Sequence, residues 1–158
     1  MADQDAVHLA RAVALSRERM EANAGGPFGA VIVRDGVVLA EGWNKVTSSN
    51  DPTAHAEVTA IRRACEAVNS FELKGATLYT SCEPCPMCLA SAYWARISRI
   101  VYANTRTEAA AIGFDDAFIY DEIPKEPAAR ALVMEHHPRK DATDAFAAWA
   151  EKPDKIHY

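Results

Sequence analysis

The sequence has no apolar run long enough to cross a bilayer. Its longest stretches, such as Gly29–Val33 and Val37–Ala40, fall far short of the ~20 residues a span needs, so no membrane association is expected. It is also short of basic charge. With 17 Lys and Arg against 22 Asp and Glu, the net charge is −5, and the footprint of a protein that holds a phosphate backbone is missing. Polymeric nucleic acid is therefore an unlikely partner. Only four cysteines occur, and Cys82, Cys85 and Cys88 crowd into seven positions, which suits metal ligation in a reducing compartment better than a disulfide framework. The N-terminal Met1–Asp5 carries acids where a secretory signal carries bases and an apolar core, so a cytoplasmic location is expected. Repeats and low-complexity linkers are missing too. What remains is 158 residues, 49% hydrophobic and 25% charged, enough for a single domain over 1–158 with its own core.

Val7, Ala10, Val13, Ala14, Arg17 and Met20 recur at steps of three and four, which predicts a helix over Asp5–Asn23 stopped by Gly25–Gly26. Pro27–Val33 and Val37–Trp43 are β-rich runs around Arg34–Asp35–Gly36, whose Asp-Gly pair suits a tight antiparallel hairpin. After a polar loop over Asn44–Asn50, Asp51 and Pro52 suit an N-cap and first helical position, with Val58, Ile61, Cys65 and Val68 as the apolar face. A strand is expected over Ala76–Ser81, a helix over Cys85–Arg96 and a strand over Arg99–Ala103. Helix and loop are expected over Thr105–Tyr120, a last strand over Ala131–Met134 and a last helix over Thr143–Ala150. Alternating strands and helices point to an α/β fold: a three-layer α/β/α sandwich around a mixed five-stranded sheet.

The sharpest chemical feature is His55-Ala56-Glu57, followed after a helix and a strand by Pro84-Cys85-Pro86-Met87-Cys88. Cys85 and Cys88, three apart on a helix, present two sulfurs to one ion, and the helix N-terminus favours their thiolate form. His55 and Glu57, two apart, would point to opposite sides of a regular helix, so both reach one metal only from its tip. His55 is then the third zinc ligand, and Glu57 lies beside the open fourth position that distinguishes a catalytic from a structural zinc site. The alternative is that Cys82 fills that position, closing a Cys3His site that would staple a non-enzymatic interaction module. Otherwise Cys82 is a packed strand-end residue and Cys65 a core residue.

H-x-E followed by P-C-x-x-C is the signature of zinc nucleobase deaminases, and the chain resembles the cytidine-deaminase-like superfamily from its first helix to about Ala103. Within that superfamily, Gly25–Val33, Ser49–Arg62, Leu78–Leu89, Ala92–Arg96 and Gly113–Tyr120 resemble the bacterial guanine deaminases. The resemblance implies hydrolytic deamination of guanine at C2 to xanthine and ammonia, with hydroxide on one zinc per chain as nucleophile. His55, Cys85 and Cys88 would hold the zinc, and Glu57 would shuttle protons. Asn44 and Asp115 match base-contacting positions of that family, and Ala56 falls beside them. Phe28 and Trp94 are the aromatic candidates for stacking, with core packing as the other reading of each. Tyr158 matches a C-terminal tail that closes over a pocket, its own or a partner subunit's by domain swapping, and a homodimer is implied. Adenosine deaminases acting on tRNA share DPTAHAE and the cysteines but depart at Tyr93-Trp94-Ala95 and Phe114-Asp115-Asp116. Deamination of guanosine or cytosine is also open.

Overall fold

The computed structural model describes residues 3–158, with the side chain of Asp3 outside the description. The chain divides into two compact units, one running to Ala117 and the other over Phe118–Tyr158. No described helix is long and apolar enough to cross a membrane.

The first unit opens with helix α1 (Asp3–Glu21) and the hairpin of β1 (Gly29–Arg34) and β2 (Val37–Trp43). A short helix α2 (Val46–Ser49), helix α3 (Ala56–Val68), strand β3 (Thr77–Cys82), helix α4 (Pro86–Trp94), strand β4 (Arg99–Asn104) and helix α5 (Arg106–Ala111) follow. Asp35 and Gly36 turn the hairpin at φ values of 53° and 76°, as an Asp-Gly pair permits. The sheet order is β2-β1-β3-β4, with β1 antiparallel to both neighbours and β3 parallel to β4. The sheet is therefore mixed, as expected.

Alternation along the strands sorts two apolar clusters onto opposite faces. Val31, Val33 and Tyr79 pack with Ala12 and Leu15 of α1. Ala30, Ile32 and Leu78 pack with Ala56, Ala60, Ile61 and Ala64 of α3 and with Ala92 near the end of α4. Small side chains on α3 bring its backbone close to the sheet, and Gly42 of β2 makes this possible. A Cβ there would lie 2.3 Å from the Ala56 carbonyl oxygen and 2.5 Å from the Ala60 nitrogen.

The strand topology also explains where the signature residues meet. Strands β2 and β3 both run antiparallel to β1, so they are parallel to each other and end at the same edge of the sheet. Helices α3 and α4 follow those two ends, and their N-termini converge where open α/β sheets bind ligands.

The second unit holds α6 (Ala117–Glu122, which begins at the boundary), a 3₁₀ turn over Pro127–Ala129 and α7 (Lys140–Glu151). The fifth strand expected over Ala131–Met134 does not form: the described residues build four strands, and 131–134 is irregular with Leu132 and Val133 exposed. Four apolar residues between Arg130 and Glu135 satisfy a strand pattern, but a strand also needs an edge to pair with, which composition does not reveal. The start of α3 differs as well. Asp51 does not cap a helix at Pro52; its carboxylate accepts from the Thr53 N–H and hydroxyl at 2.8 and 2.7 Å, a local turn, and the helix begins at Ala56. The loop expected over Asn44–Asn50 contains the single turn of α2.

Candidate functional site

His55 occupies the N-cap of α3 with extended backbone (φ −67°, ψ 160°), its carbonyl accepting from the Thr59 N–H at 2.9 Å. That position resolves the spacing problem. Only the residue outside the helical turn can aim its ring along the helix tip while Glu57, in the first turn, reaches the same point. Cys85 repeats the arrangement as N-cap of α4 (φ −66°, ψ 168°), with Pro86 in the first turn where its missing N–H is harmless, and Cys88 follows in that turn. Two helix N-termini thus aim their partial positive charge at one point.

His55 Nδ1 lies 3.5 Å from both the Cys85 and the Cys88 Sγ, and the three ligand atoms all lie within 4.8 Å of one another. The donor set fits zinc. Tetrahedral bonds of about 2.3 Å to sulfur and about 2.0–2.1 Å to imidazole nitrogen separate such donors by about 3.6 Å, close to the observed spacing. Cys85 is held as a thiolate, its pKa lowered to about 4 by hydrogen bonds from the Cys88 thiol and His55. The Cys88 thiol is pushed up by its bond to Cys85 and by burial, and His55 is raised by its bond to Cys85.

Glu57 is buried, and burial pushes its carboxyl upward from the ordinary range. Its Oε2 accepts from Cys88 Sγ at 3.4 Å and its Oε1 from the Thr80 hydroxyl at 3.2 Å. The acid therefore stands directly beside the three donors. Cys82 does not join them: it is buried at the end of β3, its thiol donates to the Thr105 carbonyl at 3.6 Å, and burial pushes its pKa up to about 11. Among the described residues, the candidate metal group is His55, Cys85 and Cys88 alone.

Asn44 follows β2 directly and is buried. Its Oδ1 accepts from the backbone N–H groups of Gly26 and Val46 at 3.2 and 3.1 Å, which turns the Nδ2 end the other way. Gly25 is required beneath it, since a Cβ would sit 2.4 Å from the Asn44 carbonyl and side-chain oxygens. The neighbouring Lys45 N–H bonds to the Ala54 carbonyl at 2.9 Å, tying this turn to the approach of α3. Phe28 meets Phe114 edge to face at 4.9 Å beside Gly26, and Ala56 is fully buried at the start of α3.

The remaining sequence candidates are more exposed. Trp94 is 62% exposed at the end of α4, about 12 Å along the helix axis from the Cys85 end. Asp115 is exposed and its carboxylate accepts from the Ala117 N–H at 2.9 Å. Its neighbour Asp116 is half-buried, and burial together with the negative Cys85 raises its carboxyl pKa. Asp116 and Thr80 are the two polar residues that sequence reasoning passed over. Tyr158 is exposed at the end of the second unit.

Residues 2–104 match the model of the cytidine and deoxycytidylate deaminase zinc-binding region, about two thirds of the chain. The chain belongs to that zinc-binding deaminase family. Among its relatives, a guanine deaminase of Bacillus subtilis (strain 168) is 52% identical over 150 residues, 95% of this chain and 96% of the relative. An X-ray structure of guanine deaminase from Bacillus subtilis superposes with a TM-score of 0.94 at 51% identity, covering 96% of this chain and 97% of that one. A tRNA-specific adenosine deaminase of Agrobacterium fabrum (strain C58) is 51% identical over 76 residues, only 48% of this chain and 50% of that protein. The family assignment supports zinc as the cofactor at His55, Cys85 and Cys88.

Proposed function

We propose that this chain is a guanine deaminase, hydrolysing guanine at C2 to xanthine and ammonia. The observation that carries the chemistry is a buried carboxyl, Glu57, touching a three-donor zinc site whose remaining ligand position no amino acid fills among the described residues. The choice of guanine rests on similarity to a guanine deaminase along almost the whole chain, where the tRNA-specific relative matches less than half.

His55, Cys85 and Cys88 would hold the zinc, which when bound acidifies water and so supplies a nucleophile at neutral pH. Glu57 takes a proton from the attacking water and delivers it to a ring nitrogen; as the intermediate collapses it takes the proton left on the added hydroxyl and passes it to the departing amine, so that C2 ends as a carbonyl and ammonia leaves. Burial, which raises its proton affinity, suits a carboxyl that takes protons from water. Asn44 offers its amide N–H to an acceptor on the purine and Phe28 with Phe114 offers aromatic surface, while Ala56, its side chain in the core, would contribute only its backbone at the α3 tip. For the purine N–H groups we assign Asp116, the half-buried acid near Cys85, ahead of Asp115.

The chain acts as one catalytic domain and works in the cytoplasm as a homodimer. Leu132, Val133 and Phe146, exposed on the second unit, support a partner for that unit, and for Trp94 and Tyr158 we keep the role of substrate contacts. Ammonia release from guanine, guanosine, cytosine and an adenosine-bearing tRNA hairpin tests the reading. Guanine as the preferred substrate supports it, whereas preference for the hairpin overturns the substrate and leaves the deaminase chemistry.

A further inference from the structure

We propose that Thr80 is a positioning residue for Glu57, holding its carboxyl so that one oxygen stays on the side of the three donors; this rests on the reading of Glu57 as proton shuttle. A carboxyl at the end of a glutamate turns readily, because its last torsion is broad. A shuttle needs one oxygen kept on the reacting side. Glu57 divides its two oxygens between two neighbours: Oε2 meets Cys88 at 3.4 Å within the donor cluster, and Oε1 accepts from the Thr80 hydroxyl at 3.2 Å.

Thr80 is almost fully buried on β3, one of the two inner strands of the sheet, with Ala30 and Tyr102 as its register partners. Strand alternation puts it on the face of Leu78, the face that α3 covers. The hydroxyl is thus fixed by an inner strand of the sheet rather than by a loop. With Oε1 engaged as acceptor by the Thr80 O–H, the plane of the carboxyl is set and Oε2 stays on the side of the donors. Without that hydroxyl, Oε1 becomes a buried acceptor that has lost this partner, and the carboxyl is free to turn about its last torsion.

The test compares Thr80→Val, which keeps shape and loses the hydroxyl, with Thr80→Ser, which keeps the hydroxyl. In the zinc-loaded protein, Thr80→Val should lower kcat for guanine by about tenfold to a hundredfold, the range for a hydrogen bond to a charged group, while KM stays within about twofold. Thr80→Ser should recover kcat to within about threefold of the parent. Zinc content should remain one per chain in both. An independent readout is the crystal structure of each zinc-loaded variant: the Glu57 carboxyl should turn or split over two orientations in Thr80→Val and keep the parental orientation in Thr80→Ser. Unchanged kcat in Thr80→Val, or kcat lost equally in both variants, overturns the proposal. Should the parent release no ammonia from guanine, the substrate reading fails, and an unturned Glu57 carboxyl in Thr80→Val still refutes the positioning role on its own.

Discussion

Replacing Gly42 by alanine should damage the metal site without touching any of its ligands. The added Cβ would stand 2.3 Å from the Ala56 carbonyl oxygen, 2.5 Å from the Ala60 nitrogen and 2.8 Å from the Ala60 Cβ. Two of these atoms are helix backbone, which cannot rotate aside as a side chain can. Reaching the 3.4 Å of ordinary contact requires α3 and β2 to part by about 1.1 Å at the turn that carries His55 and Glu57. Overpacking of this kind costs about 1–3 kcal/mol, which for a chain of this size lowers Tm by about 2–12 °C. A displacement near 1 Å at a reacting group costs about 10²-fold in rate, so guanine turnover should fall much further than stability alone explains. Gly36→Ala is the control: no atom lies within 4 Å of its Cβ, and only the strain of φ +76° applies, about 1–2 kcal/mol. Thermal unfolding, chelator competition for zinc and ammonia release would be measured for both. Gly42→Ala with parental zinc retention and turnover would refute the claim that close helix–strand contact sets the site.

Three further outcomes follow from particular contacts. Asp5, buried between Arg99 at 2.6 and 2.9 Å and the Tyr79 hydroxyl at 2.6 Å, has its carboxyl held well below the usual range, chiefly by Arg99. A depressed carboxylate contributes stability above its unfolded pKa of about 4 and loses it as pH falls toward the folded value, so Asp5→Asn should flatten the acid side of a stability–pH curve; an unchanged curve counts against the tie. Cys82→Ala should keep one zinc per chain while Cys88→Ala loses it, as metal analysis after dialysis would report. Asp116→Asn should raise KM for guanine by about tenfold or more, the scale of one lost charged hydrogen bond, and Asp115→Asn should leave it within about twofold. Equal effects of the two would refute the assignment to Asp116.

Cys85 and Cys88 were legible as zinc donors because they lie three apart at one helix start, where spacing translates directly into geometry; His55 and Glu57, two apart, come together only because His55 stands at the N-cap. The hairpin and the four strands were legible for the same local reason: alternation and an Asp-Gly turn. The fifth strand was not, since Ala131–Met134 has the composition of a strand but composition does not supply an edge. At Asp51-Pro52 two local signals competed, a helix cap and a side-chain turn, and the turn prevailed because its hydrogen bonds to Thr53 close within two residues. Adjacent acids on a loop carry no period, so nothing in the chain distinguished Asp115 from Asp116. Thr80 looked like any β-branched residue in a strand; only the crossing of α3 over β3 gives its hydroxyl a partner.

The central claim is that Glu57 moves protons beside a zinc held by His55, Cys85 and Cys88. It is tested most directly by measuring zinc stoichiometry and guanine turnover together in Glu57→Gln, which keeps the shape of the side chain and removes the titratable proton. The account predicts one zinc per chain with turnover reduced by about 10² to 10⁴-fold. Full turnover with the zinc in place would contradict it.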